Sequence, residues 1–337
     1  IMARNQRIFY ACQSVAITKR GVEPVAADVV HGLQSVGMSS TFTLDQVFEM
    51  GQIEIYENVE EVADIEVTLE KVIDGYELIF NLATNGECVN SLVTASKERS
   101  DVYLAIFDDG LSHATGIPRN VCMNSGLFVS SVSYNYSVDG SATESVTLVG
   151  NDRFWNTKQG VLGKDPTALW GTSTNITSNI GGDDAALSGV VRRTDIDLSE
   201  STLPDEIERN GGDDGGDNNF HIQSVAISTD LGQENIQELG KFGPYTRYAT
   251  FPIEVTCEFE VIATSGDLIS VSGNAPNLKD RGIVIKDNAG TIINLGTKNK
   301  LSSVSYSGGD TGGGNATVSY SYTNFNDLTV TGGAPHA

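Results

Sequence analysis

Apolar and polar residues alternate with a period of two through most of this chain, and this pattern predicts β-strands. The clearest example is 65–72, which reads IEVTLEKV. Similar runs rich in Val, Ile, Thr, Tyr and Phe occupy 102–107, 127–136, 145–150, 248–262 and 316–325. Apolar residues spaced three and four apart at 76–84 and 88–99 predict a short helical region instead. The predicted fold class is therefore mainly β, with one or two short helices.

Short blocks of sequence recur in the same order in the two halves of the chain. LQSV at 33–36 returns as IQSV at 222–225, and EMG at 49–51 returns as ELG at 238–240, both at the same offset. IEVT at 65–68 recurs unchanged at 253–256, and SSVSY at 130–134 recurs unchanged at 302–306. The preserved order indicates an internal duplication, and predicts that 65–70 superposes on 253–258 and 130–134 on 302–306.

The repeats suggest two tandem β-sandwich or barrel domains. We assign 1–30 to an N-terminal arm, 31–155 and 220–330 to the two domains, and 331–337 to a C-terminal tail. Residues 156–219 form an insertion or linker between the domains. Its part 181–219 is so rich in Gly and acidic residues that we expect it to be exposed.

Alternation also separates the two faces of the repeated strand. Ile65, Val67 and Leu69 point to one side, as do their counterparts in the second half, and we expect that side to be buried. The opposite side carries the acidic residues Glu66, Glu70, Glu254, Glu258 and Glu260. In each half, the pattern therefore predicts a sheet with one apolar and one acidic face.

The charge balance changes the list of possible partners. Among 337 residues there are 44 acidic and 21 basic side chains, a net charge of −23, which disfavours specific binding to nucleic acid. No run of 18 apolar residues predicts a membrane span, and residues 1–21 lack the apolar core of an export signal.

Residues in patterns typical of catalysis or metal binding are not found. The four cysteines and four histidines have no metal-ligand spacing, and nucleophile motifs such as GxSxG do not occur. Three acids among glycines, Asp213, Asp214 and Asp217, leave a calcium site open. Plentiful carboxylates leave glycoside cleavage open, although only 7% of the residues are aromatic. Our expectation is a protein that is not an enzyme and has no cofactor or metal.

Four segments, 31–79, 126–152, 221–262 and 299–328, resemble the tail tube (major tail) proteins of tailed bacteriophages. The resemblance implies a structural virion protein of the tail, assembled in the host cytoplasm and without a membrane partner. In that family, β-sandwich domains pair their strands edge to edge to form rings, and the rings stack through long loops or hairpins. DNA passes through the channel without specific binding, and sheath or other tail proteins can surround the tube.

Family rings of single-domain subunits are typically sixfold, so a duplicated chain implies a ring of three chains with approximate sixfold symmetry. The acidic faces would then line or flank the channel, and 181–219 would lie on the outer surface. For the stacking contacts between rings we predict apolar residues in two long connections: Val47, Phe48, Met50, Ile53 and Tyr56, and Ile236, Leu239, Phe242 and Tyr245.

Two alternatives remain open at this stage. One is another tail component, such as a terminator, which forms one ring and stops, or a sheath piece. The other is a surface β-sandwich module that binds carbohydrate or calcium as a monomer.

Overall fold

The computed structural model describes residues 7–22, 24, 28–84, 92–109, 118–156, 189–198, 201–210, 221–273, 278–309 and 314–332. As the sequence predicts, the fold is mainly β. The helical elements are a 3₁₀ turn at Tyr10–Cys12 and the helices α1 (Ile79–Ala83), α2 (Leu92–Ala95) and α3 (Asp205–Asn210). The first two helices lie in the region where the apolar spacing predicts helix.

The strands divide between a first half, up to residue 156, and a second half, from residue 221. The first half contains β1 (Gln13–Lys19), β2 (Leu33–Thr41), β3 (Leu44–Phe48), β4 (Ile55–Glu60), β5 (Asp64–Val72), β6 (Ser100–Ile106), β7 (Asn120–Ser137), β8 (Thr143–Gly150) and β9 (Asp152–Asn156). The second half contains β10 (Ile222–Asp230), β11 (Gln233–Ile236), β12 (Thr246–Ala249), β13 (Glu254–Ile262), β14 (Val284–Lys286), β15 (Ile292–Asn294), β16 (Lys300–Ser307), β17 (Thr317–Phe325) and β18 (Thr329–Thr331).

Eight of these strands form one continuous antiparallel sheet that spans both halves. Its order is β2-β5-β8-β7-β10-β13-β17-β16, so each half contributes four neighbouring strands. Strand β1, which lies within the predicted N-terminal arm, pairs with β6 and is mostly buried. Near Gly126, whose φ of 67° is left-handed, β7 leaves the main sheet to pair with β6 and β9.

The core lies on one side of this sheet. Side chains alternate along β5 and β13 between buried and accessible positions, as the period of two predicts. The buried faces pack with α1, β1 and β6 in the first half and with β14, β15 and β18 in the second, forming one apolar cluster. The opposite face of the sheet remains accessible.

Both halves place their strands in the same order within the main sheet: β2-β5-β8-β7 is followed by β10-β13-β17-β16. Each half has a β-bulge in its first strand pair, directly before Ser35 or Ser224. After each bulge the serine hydroxyl donates to a glutamate across the pair, Ser35 to Glu70 at 3.3 Å and Ser224 to Glu260 at 3.4 Å. Bulges are local features of strand register, so their recurrence identifies equivalent positions.

A second pair of equivalent bulges lies in the pairing of β7 with β8 and in that of β16 with β17. They precede Ser131 of β7 and Ser303 of β16. These two serines occupy the same position within the two SSVSY sequences. The sequence repeat and the bulges therefore define the same equivalence between β7 and β16.

Pair register also corrects one sequence match. The repeated IEVT sequences match Glu70 with Glu258, whereas the equivalent bulges match Glu70 with Glu260. The superposition of 65–70 on 253–258 is therefore wrong by two residues, and 255–260 is the equivalent segment. A shift of two leaves every side chain on its original face, which is why the face assignment survives.

The expectation of a wholly exposed 181–219 is also wrong where the structure describes it. Three apolar side chains of this stretch lie in the core: Val191, Leu203 and Ile207. The Val191 N–H donates to the carbonyl of Ile73 at 2.8 Å in the first half, and that of Thr202 donates to the carbonyl of Val284 at 2.8 Å in the second. The segment thus bridges the buried layers of both halves.

A buried polar network distinguishes the first half from the second. Glu144 accepts the backbone N–H groups of Ile79 at 2.6 Å and Phe80 at 3.0 Å, and the hydroxyl of Tyr134 at 3.1 Å. Lys71, the cross-strand partner of Glu144, is fully buried and donates to the carbonyl of Glu77 at 2.9 Å. Burial raises the pKa of Glu144, and the positive charge of Lys71 lowers it.

Apolar residues occupy the corresponding positions in the second half. Val261 and Val318 face each other across β13 and β17, where the first half has Lys71 and Glu144. The network of the first half holds the start of α1, and the shorter second half has no helix at the corresponding place in its described residues.

Candidate assembly interface

The two halves meet at a pairing of β7 with β10, which we call the internal joint. It runs in continuous register from Ser137 opposite Ser224 to Ser131 opposite Asp230. Side chains that point to the core at this joint are buried on both strands: Val132, Tyr134 and Tyr136 on β7, and Val225, Ile227 and Thr229 on β10. A complete joint therefore pairs β7, the last strand of the first half in sheet order, with β10, the first strand of the second half. One face of this pair is covered by the core.

The two end strands of the main sheet, β2 and β16, are equivalent to the two strands that form the internal joint. Among the described residues, β2 pairs only with β5 and β16 pairs only with β17. β2 is the equivalent of β10, and β16 is the equivalent of the main-sheet part of β7. Each chain thus has one complete joint. At the two ends of its main sheet it also has the two strands that could form a second joint, each without a partner in the described structure.

Burial follows this relationship residue by residue. Tyr306 of β16 is 52% exposed, whereas its equivalent Tyr134 is 1% exposed in the internal joint. Met38 of β2 is half-buried, whereas its equivalent Ile227 is buried. The residues that the internal joint covers are those that the two chain ends leave accessible.

Hydrogen bonds at the internal joint show which backbone groups face outward on β2. The Leu231 N–H donates to the Ser130 carbonyl at 2.7 Å, and the Val138 N–H donates to the Gln223 carbonyl at 3.1 Å. Because backbone groups alternate sides along a strand, Ile227 also points its N–H toward β7. By equivalence, the N–H of Met38 points to the unpaired edge of β2.

Two hairpins leave the main sheet at equivalent places. The β3–β4 hairpin connects β2 with β5, and the β11–β12 hairpin connects β10 with β13; each forms its own two-stranded sheet. All strand residues of the first hairpin are exposed. Isolated two-stranded hairpins are marginally stable in water, and the first hairpin buries none of its strand residues.

The structure places every predicted stacking residue on these hairpins, with its side chain exposed. In the first they are Val47, Phe48, Met50, Ile53 and Tyr56, and in the second Ile236, Leu239, Phe242 and Tyr245. They do not fold back onto the core of their own chain. Their role in contacts between rings remains a prediction.

An arginine clamp fixes the second hairpin to the first half. Arg247 of β12 is nearly buried, and its guanidinium donates to the Asp64 carboxylate at 2.6 Å and to the Gly150 carbonyl at 3.3 Å. Strand pairing makes Asn58 the equivalent residue in the first hairpin. The clamp therefore has no counterpart at the unpaired end of the chain.

The accessible face of the main sheet carries the predicted acidic residues. Glu66, Glu70, Glu254 and Glu258 are exposed and Glu260 is half-buried, and none has a Lys or Arg partner among the described residues. Hydroxyl side chains occupy the neighbouring positions, including Ser39, Ser133, Thr147, Ser228, Ser305 and Ser321. Lys300, at the margin, is the one basic residue on the described strands of this face.

The structure also locates the cysteines and bears on the metal sites and membrane spans considered from the sequence. Cys12, Cys122 and Cys257 are buried free thiols. Within the described ranges no group of three His, Cys, Asp or Glu side chains could hold a metal ion, and no helix is long and apolar enough to cross a membrane. The calcium candidates Asp213, Asp214 and Asp217, and Cys88, lie outside the described residues.

Sequence reasoning missed the edge residues Met38, Val304 and Tyr306. One signal could have found two of them, because the SSVSY repeat makes Val304 and Tyr306 equivalent to Val132 and Tyr134. What the sequence does not show is that one copy of this strand is paired on both sides and the other on one side only.

No protein-family model matches this chain, and comparison with curated proteins gives no match. Among solved structures, it is similar to a chain of the tube-terminating cap of the anti-feeding prophage, with 14% identity and a TM-score of 0.34 over 47% of this chain and 95% of that one. It is also similar to a chain of the sixfold-symmetrised baseplate of the anti-feeding prophage, with 15% identity and a TM-score of 0.34 over 46% and 97% of the two chains.

A third similar structure is the sheath–tube complex of an extracellular contractile injection system, PVC, in its extended state. There the identity is 12% and the TM-score 0.34, over 46% of this chain and 94% of that one. Scores and identities at this level do not establish a shared fold or function.

Proposed function

We propose that this protein is the duplicated tube subunit of a phage-type tail, and that its chains close into rings by pairing β16 of one chain with β2 of the next. The observation that supports this is the complete internal joint with its two unpaired partner strands at the ends of the same sheet. Unpaired edges invite pairing with another chain, and here the complementary edge belongs to the same protein.

The internal joint predicts the register of the proposed joint between chains. Ser133 pairs with Ser228 inside the chain, and their equivalents at the two ends of the sheet are Ser305 on β16 and Ser39 on β2. In the same register, Tyr306 lies opposite Met38. Both partners would then become buried, as Tyr134 and Ile227 are.

A head-to-tail contact that repeats between identical chains closes into a ring when its rotation allows. Since each chain supplies two of the six positions implied by the family resemblance, the ring contains three chains. The chain halves then alternate around the channel, and duplication of an ancestral single-domain subunit accounts for their common strand order.

The accessible face of the main sheet would form the channel wall. Carboxylates among hydroxyl groups offer no cationic site to phosphate, and their negative potential repels the DNA backbone, so that DNA moves without binding. A map of the assembled tube with Glu66 and Glu258 on its outer surface would contradict this assignment.

Paired cysteines test the register directly. Ser39→Cys with Ser305→Cys, in a Cys88→Ser background, should give disulfide-linked products of two and three chains and none larger. Both positions face the accessible side, and their internal equivalents, Ser228 and Ser133, lie where strands approach within about 4.5 Å between Cα atoms. The readout is a non-reducing gel of the oxidised protein.

The matched control moves one cysteine along the same face. Ser39→Cys with Ser307→Cys lies two positions out of register, where Cα atoms are too far apart to be bridged. The native thiols Cys12, Cys122 and Cys257 are buried, and burial raises the pKa of Cys122 to about 11 and that of Cys257 above its usual range. Equal yields from the two pairs would contradict the joint, and products of up to six chains would contradict the ring of three.

Ring stacking is tested at the two hairpins. Phe48→Asp with Phe242→Asp should leave ring formation intact and prevent rings from stacking, because each substitution puts a charge into an apolar contact. Negative-stain microscopy distinguishes rings from tubes, and Phe154→Asp, an exposed aromatic position on β9, is the control. Tubes of normal length from the double variant would show that these hairpins are not the contact.

The same microscopy of the unmodified protein separates the alternatives. Stacked rings are expected for a tube subunit. Single rings that never stack would favour a tail terminator. A monomer that binds a glycan or calcium would favour a surface module and contradict the proposal.

A further inference from the structure

An apolar pocket lies beside the unpaired edge of β16, at the opposite end of the main sheet from β2. Its volume is about 380 Å³, and its apolar lining residues are Ile269, Val271, Leu278, Leu301 and Val304. Val271 is 90% exposed and Leu278 is 43% exposed, so the described part of the chain leaves much of this lining open to water. Exposed apolar groups gathered in a concave site favour an apolar occupant.

The internal joint shows what occupies the equivalent position in the first half. Leu231, the residue after β10, is fully buried, and its N–H donates to the carbonyl of Ser130 on β7. The equivalent of Ser130 is Ser302, which lines the pocket beside β16. A side chain that follows the partner strand is therefore inserted at this place in a complete joint.

The equivalent of Leu231 is Phe42, which comes directly after β2 as Leu231 comes directly after β10. Phe42 is 70% exposed in the single chain. It follows Met38 and Ser40 on the core-facing side of the strand, as Leu231 follows Ile227 and Thr229. The exposed aromatic ring of Phe42, at the β2 end of the main sheet, is thus complementary to the open apolar pocket at the β16 end.

Building on the proposed ring, we infer that Phe42 of one chain inserts into the pocket beside β16 of the next chain and anchors the joint between them. The occupant is a second copy of this protein, because the internal joint provides the same contact in closed form. Burial of a phenylalanine side chain adds apolar contact that strand pairing alone does not supply.

The anchor is tested by the protein concentration at which half of the chains are in rings, measured by mass photometry or sedimentation. Phe42→Ser should raise that concentration at least tenfold, whereas Phe42→Leu, which copies the internal joint, should change it less than threefold. Trp155→Ser, at an exposed aromatic position on β9 outside the predicted joint and stacking contacts, is the control and should also change it less than threefold. Thermal unfolding of the single chain should be the same for all of them, since both positions are exposed.

A double-mutant cycle shows whether the ring contacts this pocket. Val271→Ser should weaken ring formation by itself and add little to Phe42→Ser, because contacting residues lose the same interaction only once. Additive effects, or a Phe42→Ser effect no larger than that of Trp155→Ser, would overturn the anchor. If the rings form and Ser39→Cys crosslinks with Ser305→Cys, such a result leaves the proposed function standing; without rings or crosslinks, the proposed function fails as well.

Discussion

Met38→Pro is expected to abolish ring formation while leaving the single chain folded. The N–H of Met38 points to the unpaired edge of β2, so proline removes a donor from the joint between chains and none from the pairing with β5. The preceding Gly37 tolerates the extended conformation that proline requires. We expect sedimentation to show monomers at concentrations where the unmodified protein is fully in rings.

The matched control is Met38→Ala, which removes the same side chain, including its contact with Asn124, but keeps the N–H. It should still form rings. The unfolding free energies of the two variants should agree within about 1 kcal/mol, because both substitutions lie on an edge strand. Rings of normal mass from Met38→Pro would show that β2 is not an assembly edge.

Glu144→Val is expected to destabilise the chain by about 2–6 kcal/mol, since it removes the acceptor of two buried N–H groups and each costs about 1–3 kcal/mol when unsatisfied. It leaves the N–H groups of Ile79 and Phe80 without an acceptor and Lys71 buried without its cross-strand carboxylate. Urea unfolding in the monomeric Met38→Pro background measures the loss without a contribution from assembly.

The second half of the chain provides the comparison. Lys71→Val with Glu144→Val recreates the valine pair found at Val261 and Val318. This double variant should be more stable than Glu144→Val, since no buried lysine faces an apolar residue across the strands. It should be less stable than the unmodified chain, since α1 keeps its unpaired N–H groups and Asp74 loses its ion pair with Lys71 at 3.3 Å. A double variant no better than Glu144→Val would show that Asp74 and the Glu77 carbonyl are sufficient partners for Lys71.

Lys71→Val alone should make stability depend more strongly on pH. Burial raises the pKa of Glu144, and loss of Lys71 removes a charge that lowers it. A carboxyl whose folded pKa lies above its unfolded value holds its proton more tightly in the folded state. The unfolding free energy of this variant should therefore fall, relative to the unmodified chain, as pH rises above the ordinary carboxyl value of 4.5.

Period-two alternation was sufficient to predict the fold class and the faces of the sheet. It separates Glu66 and Glu258 from Val67 and Phe259 regardless of register, because only odd shifts move a side chain to the other face. The same insensitivity explains the two-residue error in matching 65–70 with the second half. Bulges determine the true register, and nothing in the local sequence marked them.

Composition misled the prediction for 181–219 because burial there depends on isolated side chains. Val191, Leu203 and Ile207 are separated by mostly polar residues, so no periodic pattern announces them. Their burial is decided by the layers they cross, which is a long-range property. The exposed hairpin residues were predictable, by contrast, because clusters such as those near Phe48 and Phe242 lie beside turn-forming glycines.

The arginine clamp has a consequence for the symmetry that partner proteins encounter. In a ring of three chains, Arg247 would reinforce the three junctions inside chains, whereas Asn58 would stand at the three between them. Covalent linkage also gives the junctions inside chains a high effective concentration, so they stay closed when the others open. Such a ring would dissociate into whole chains at the three junctions between chains. A protein that recognises the clamp would find three equivalent binding sites on the ring rather than six.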